Sequence, residues 1–296
     1  MKDFYLILFV FSLSFSLSAQ DNGGSMLDAL GTDNPTERVT AAFKSPKVIN
    51  SHSIEMLQKG VLDFRILHRF GDVNNGLYDM FGLDLATMRL GFDYGITDDL
   101  SVGIGRSTYL KELDGMIKYR ILCQATGKKS FPVSIVWVSG MTINGLKDPF
   151  EGQIPVTFSR RIAYYHEIII GRKFSDKFSL QLSPTLVHRN ITTTSVDPNN
   201  YYGVGVGARY KVSKRIALVL DYVHVFNRFP GKLSYDPLSI GVDIETGGHV
   251  FQLHFSNAKG MNERAFITDG FNNTNWFDGH FMFGFNLSRV FQIAKR

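Results

Sequence analysis

Two polar side chains near the C-terminal end of the sequence, His254 and Ser256, have the types and spacing for nucleophilic chemistry. Two residues apart on a strand they share a face, so the imidazole can take the hydroxyl proton and ready the oxygen to attack a carbonyl. Such a pair needs an orienting acid, and only Glu263 and Asp269 stand near. Alternation also turns His254 and Ser256 away from Phe251, Leu253 and Phe255, which makes an ordinary hydrogen-bonded pair the simpler reading. His68, His188 and His224 fall on three separated strands on their apolar side, so they read as interfacial side chains rather than converging ligands. His249 and His280 show no metal-ligand spacing either, and no metal or cofactor is expected. The carboxylates Asp243 and Glu245, or Asp98 and Asp99, could serve acid/base work or calcium, but internal salt bridges and a solvated turn account for them more simply. Gly103, Gly105, Gly203, Gly205 and Gly207 resemble a phosphate cradle only superficially, because no helix follows either cluster.

The elements that must position these residues follow from a two-residue alternation. Phe178, Leu180, Leu182, Pro184 and Leu186 fall on one strand face, and Ser179, Gln181, Ser183 and Thr185 on the other. The pattern predicts strands near 61–70, 86–95, 99–107, 114–122, 131–142, 159–172, 177–189, 201–212, 215–226, 236–246, 248–256 and 279–291. Tight turns such as Ser213-Lys214 and Thr246-Gly247-Gly248 alternate with long connections over 71–85, 143–158, 190–200, 227–235 and 257–278. Short turns on one side and long loops on the other describe a closed antiparallel transmembrane β-barrel of about twelve strands, with ten to fourteen allowed. The hydrophobic content of 44% and mean hydropathy of −0.04 suit strands that are apolar on one face only.

The run from Phe4 to Leu17, followed by Ser18 and Ala19, reads as a signal peptide over 1–19 cleaved near Ala19. Residues 20–59 are polar, with short apolar pieces at Met26-Leu27 and Val48-Ile49; composition favours a periplasmic arm over a plug folded into the barrel, which occupies 60–296. The net charge of +5 is scattered along the strands, which argues against nucleic acid and for lipid or lipopolysaccharide phosphates as counter-charge. The single cysteine, Cys123, forms no intrachain disulfide.

Alternation assigns Met88, Leu90, Phe92, Tyr94, Val204, Val206, Leu218, Leu220, Ile240, Val242, Phe281, Phe283 and Phe285 to lipid. It assigns Asp63, Arg65, Arg89, Asp93, Lys118, Arg120, Arg209, Lys211, Asp221, Asp243, Glu245 and Gln252 to the lumen. Strands five and six are ambiguous, because Arg160, Arg161, His166 and Glu167 break the pattern. Phe70, Tyr94, Tyr109, Tyr201, Phe226 and Phe291 stand near strand ends, where barrels carry aromatic girdles.

The segments His52-Ser53-Ile54-Glu55, 64–71 (FRILHRFG), 88–95 (MRLGFDYG), 172–190 and 245–257 together resemble a family of Gram-negative outer-membrane β-barrels catalogued only as a domain of unknown function. The resemblance spans roughly 36–291 and implies a barrel fold in the outer membrane, inserted by the outer-membrane assembly machinery. Separately, the run from His254 to Asn257 is similar to the H-x-S-N motif of outer-membrane phospholipase A and lipid A deacylase barrels, although Thr268 stands near the place of their third residue. A channel or binding barrel for a small solute is the leading expectation, with anions favoured by Arg65, Arg89, Lys118, Arg120 and Arg209. A lipid acyl hydrolase using His254 and Ser256, and a scaffold for periplasmic or surface partners, are the alternatives.

Overall fold

In a bilayer core every backbone N–H and C=O must be satisfied within the protein, and strands achieve this only when the sheet closes on itself. The computed structural model describes residues 35–148, 152, 155, 157–192, 197–228, 235–247, 249–269 and 275–294. Twelve strands form one closed barrel in chain order. They are β1 (Val61–Asp72), β2 (Ala86–Gly95), β3 (Leu100–Ser107), β4 (Leu113–Leu122), β5 (Ser134–Ile143) and β6 (Ile162–Lys173), followed by β7 (Phe178–Arg189), β8 (Asn200–Lys211), β9 (Ile216–Val225), β10 (Leu238–Thr246), β11 (His249–Ser256) and β12 (Met282–Gln292). Every neighbouring pair is antiparallel, and β12 closes on β1 with Leu287 opposite Ile66 and Phe291 opposite Leu62. The predicted signal peptide lies outside the described residues.

The strands agree with the alternation to within a few residues. Three begin three residues later than the pattern suggests, for local reasons. Residues 159–161 and 276–278 wind into single 3₁₀ turns ahead of β6 and β12. Before β5, Ala125 and Phe131 bridge to each other, and Ala125–Thr126 form a small ladder with Glu37–Arg38. Arg160 and Arg161 belong to the first of those turns, so they never enter the β6 pattern; within β6, Glu167 points inward and is buried, and His166 points out. β5 was ambiguous because it is apolar on both sides: Ile135 and Trp137 face out, and Val136 and Val138 are fully buried inside.

The lumen is filled. Contrary to the composition-based preference for a periplasmic arm, Ala42, Phe43, Val48, Ile49 and Ile54 are buried against inward-facing Val136, Val138, Tyr165, Ile169, Val187, Val219 and Val223. This hairpin enters from the short-turn end, where the Lys59 amide donates to Asp98 and the Gly60 amide to the Gly95 carbonyl. It reverses at a tight turn in which the Val48 amide donates to the Ser51 carbonyl. Wall glycines make room: a Cβ at Gly171 would stand 2.8 Å from Ile54, and one at Gly207 2.9 Å from Val48. From the opposite end the β11–β12 connection folds inward as a short helix, α1 (Glu263–Thr268), every residue of which is buried. Its N-terminus is capped by Asn262, whose side-chain oxygen accepts from the Ala265 amide at 2.9 Å.

The outer face offers a direct check of the membrane assignment. Ile66 lies at the centre of β1 on the outward face, between Leu287 and Leu90 on the flanking strands. Ile66→Arg is expected to destabilise the barrel by about 2–4 kcal/mol in lipid vesicles, as a cation near the bilayer midplane should. Denaturant titration of folding into vesicles reads this directly, and a change under about 1 kcal/mol would place that face outside the hydrocarbon.

Candidate functional site

The site is the lumen, and its geometry is set by which inward side chains the hairpin occupies. Asp221 on β9 is its anchor. One carboxylate oxygen accepts from three consecutive amides, those of Ile49 (3.2 Å), Asn50 (2.7 Å) and Ser51 (2.9 Å), and the other accepts from the Ser51 hydroxyl at 2.7 Å. Successive amides that converge on one anion form the backbone concavity that loops use for carboxylates and phosphates. Around this contact, Gln181 takes the Ile54 amide at 3.1 Å and donates to the His52 carbonyl at 2.7 Å. Gln252 donates to the Val48 carbonyl at 2.6 Å and to Asp243 at 2.7 Å, and Asn286 donates to the Ile49 carbonyl at 3.1 Å. The Lys118 ammonium donates to the Pro46 and Glu55 carbonyls at 3.1 and 2.7 Å.

The remaining predicted lumen residues pair with one another. Arg65 binds Asp63 and lies 3.8 Å from Asp93, Arg89 binds Asp114, and Arg209 reaches Asp243 at 3.6 Å and Glu245 at 2.8 Å. Arg120 sits lower, at the short-turn rim, where it binds Asp99 at 2.7 Å; Asp99 also holds Arg38 at 3.0 Å. Lys211, at the end of β8, is only partly buried and donates its amide to the Lys177 carbonyl. Two residues expected in an aromatic girdle belong to the interior instead. Tyr201 is buried and accepts from Arg189 at 2.9 Å, and the Tyr109 hydroxyl donates to Asp269 at 3.2 Å. Between Ser45, Lys47, Arg65, Gln252, Asn286 and Ser288 there is a cavity of about 10 Å³, room for a water molecule at most.

His254 and Ser256 are both buried in the lumen and are not joined. Ser256 shares a 2.7 Å hydrogen bond with Ser239 and accepts from the Ala258 amide, whereas neither ring nitrogen of His254 has a hydrogen-bond partner. Asp269 is engaged by Arg264 at 2.7 Å, and Glu263 by Lys47 at 2.9 Å. Among the described residues, then, no base is hydrogen-bonded to the Ser256 hydroxyl, and both side chains face the lumen rather than the lipid side. Among the other histidines, His68 stacks on Phe285 at 4.8 Å on the outer face, and His188 and His224 bind Asn200 and Asp236 near strand ends. No cluster of metal-ligating side chains occurs among the described residues.

Several residues that matter most here carry no signal in the strand pattern. Lys47 and His52 on the hairpin meet Glu263 on α1, with Glu263 Oε1 2.9 Å from Lys47 Nζ and 3.2 Å from His52 Nε2. Burial, then the neighbouring Lys47, holds the His52 imidazole well below its ordinary range, so it stays neutral beside that carboxylate. Arg69 on β1 joins both inserts, donating to Asn50 at 3.0 Å and to the Ala258 carbonyl at 2.5 Å. α1 is tied to the wall through Arg264, which ion-pairs with Glu112 at 2.5 Å in the β3–β4 connection. Burial pushes the Glu112 carboxyl up, against the pull of Arg264 and Asn262. The hairpin's own marker was the short apolar piece Val48-Ile49 set in a polar stretch; the other such piece, Met26-Leu27, lies outside the described residues.

Asp221→Ala removes the acceptor of three buried amides. Unsatisfied buried donors cost about 1–3 kcal/mol each, so the docked hairpin should lose about 3–9 kcal/mol while the barrel ladder is untouched. Amide hydrogen exchange at 49–51 should then speed up by at least tenfold with no change in the strands, and Asp221→Asn, which keeps one acceptor oxygen, should fall between.

No curated protein matches the chain by sequence. Among solved structures it is similar to the NanC porin (8% identity, 77% of this chain and 98% of that one, TM-score 0.47) and the KdgM porin (9%, 78% and 99%, TM-score 0.46). It is also similar to an outer-membrane channel from Pseudomonas putida F1 (12%, 81% and 98%, TM-score 0.46). A family model described as a membrane-bound beta-barrel domain, DUF5777, matches residues 43–291, a span that starts at Phe43 and so takes in the luminal hairpin as well as all twelve strands. The chain belongs to the DUF5777 family of membrane-bound β-barrels.

Proposed function

We propose that this protein is an outer-membrane channel for a small polar solute, closed at rest by its own N-terminal hairpin. The observation that carries the reading is the mode of attachment: the hairpin's turn is held by side chains of β7, β9, β11 and β12 through hydrogen bonds that water can replace when it withdraws.

The charge set argues for a solute broader than an anion. Arg65, Arg89 and Arg209 keep wall carboxylates as partners whether or not the hairpin is present. Withdrawal uncovers two cations, Lys118 and Arg69, and two carboxylates, Asp221 and Glu263. A lumen of balanced sign favours zwitterionic or neutral polar solutes over a strongly anionic one.

Single-channel recording in planar bilayers tests the proposal. The intact protein should be silent, and both deletion of residues 20–59 and Asp221→Ala should give discrete openings with a reversal potential near zero in a salt gradient. A tether separates the hairpin from other causes of closure. A Cβ at Gly207 would lie 2.9 Å from a Val48 methyl, within disulfide reach, so Val48→Cys/Gly207→Cys in a Cys123→Ser background should lock the hairpin. Openings of the Asp221→Ala protein should vanish when this pair is oxidised and return on reduction. Silence in every variant, with folded barrels, would remove the channel reading and leave a closed scaffold.

A further inference from the structure

The outward face of β1, β11 and β12 is a continuous aromatic surface. Phe251 packs on Phe285, Phe285 on His68, Phe70 on Phe283 and Phe283 on Phe255, with ring centroids 4.8 to 5.8 Å apart. It does not stop where the strands stop. Phe255 meets Phe281 at 5.5 Å, and Phe281 stacks on Trp276 at 5.0 Å, which carries the surface into the loop over 275–281. That loop is fastened to the β1–β2 connection: His280 lies 2.7 Å from Asp72, and the Val73 amide donates to the Phe281 carbonyl.

The β1–β2 connection is unusually apolar for a loop in water. Leu77, Tyr78, Met80, Phe81, Leu83 and Leu85 are all exposed, Tyr78 at 93%, and Phe277 beside it reaches 97%. Met80 and Phe81 hold left-handed backbone angles, φ 48° and 56°, which side chains of their size rarely adopt. An exposed apolar cluster of this extent marks an interaction surface.

Depth identifies what covers it. Leu62 to Phe70, the outward run of β1, spans nine residues and eight residue-to-residue steps. At about 3.3 Å per residue and a tilt of about 40° it rises about 20 Å, against an apolar membrane band about 25 Å tall. The connection therefore starts within a few ångströms of the hydrocarbon edge, on the side already facing lipid. It carries Asp79 and Asp84 and no Lys or Arg, so it has no means of gripping phosphate, and its apolar side chains must do the binding.

We infer that the 73–85 and 275–281 loops together form a wedge that lies in the boundary between headgroups and acyl chains, held there by acyl-chain contact. The barrel is thereby pinned in depth on the side where it closes, the β12–β1 seam.

The test uses the full chain in phosphatidylcholine vesicles brominated at shallow acyl positions in both leaflets. Trp137 and Trp276 are the two tryptophans of the sequence, so Trp137→Phe leaves Trp276 as a native reporter, and Tyr78→Trp in a Trp137→Phe/Trp276→Phe background reports on the first loop. Folding of each variant is checked by its migration in unheated gels. Emission from both reporters should fall by about twofold or more in brominated vesicles and respond little to aqueous iodide, as interfacial burial of about 5–10 Å requires. Strong iodide quenching with no bromine effect would put the loops in water and overturn the inference. Protection from both quenchers together with cross-linked dimers would also overturn it, by making a second copy the occupant.

Discussion

Closure of the hydrogen-bond ladder between β12 and β1 is the constraint from which the other features follow. A spanning sheet with an open edge would leave a row of unpaired backbone groups in hydrocarbon, each costing several kcal/mol, about 2–7 by transfer data. Closing the sheet solves that problem and creates another. Eight strands enclose a space that side chains just fill, and twelve enclose more. The wall of this barrel even lowers its own contribution, since inward Gly171, Gly203, Gly205 and Gly207 supply no side chain. The extra room is taken by the hairpin from one end and α1 from the other.

The two sides of the lumen treat the hairpin differently, and the magnitudes separate their roles. Toward β5–β9 the wall is largely apolar, and each side chain such as Phe43 or Ile54 gains about 1.5–3 kcal/mol by leaving water. Toward β10–β12 the contacts are hydrogen bonds: Gln252 and Asn286 donate to hairpin carbonyls, and Ser239 accepts from Asn50, each bond worth only about 0.5–1.5 kcal/mol net, because water would offer the same groups partners in an open lumen. Burial therefore supplies most of the holding force, and the polar contacts fix register. Asp221 combines the two: it sits in the apolar sector beside Val219 and Val223, where its three bound amides would otherwise be stranded.

What was legible in the sequence was what repeats with a period of two. Strand order, the inward set from Asp63 to Gln252 and the outward aromatics all come from alternation, because lipid on one side and polar groups on the other impose it. The reading lost force on β5, where Val136 and Val138 are apolar because they face the hairpin and not water. The hairpin itself was hidden for the converse reason. A polar stretch with few apolar residues looks solvated, and its partners, such as Asp221 and Gln181, lie more than a hundred residues away. Tyr109 and Tyr201 misled similarly, since a tyrosine near a strand end suits an interface, but Asp269 and Arg189 draw these two inward. His254 and Ser256 share the inward face that their spacing requires, while Ser239, the hydrogen-bond partner of Ser256, lies on the neighbouring strand and outside the motif.

Lys47, His52 and Glu263 join the two inserts where they meet, and breaking a buried ion pair on one side costs about 3–5 kcal/mol if the remaining charge stays dry. In the proposed opening, withdrawal of the hairpin would favour entry of water to Glu263 and so couple opening at one end to hydration at the other. The helix bearing Glu263 has six residues, too few to persist alone. It has anchors independent of the hairpin: Arg264 to Glu112, Asn262 to Glu112, and Asp269 to Arg264 and Tyr109. In that proposal the hairpin could therefore leave while α1 stays attached to the β3–β4 connection. On the channel proposal, an opened lumen would still be narrowed by α1, which would limit passage to solutes that fit between that helix and the opposite wall.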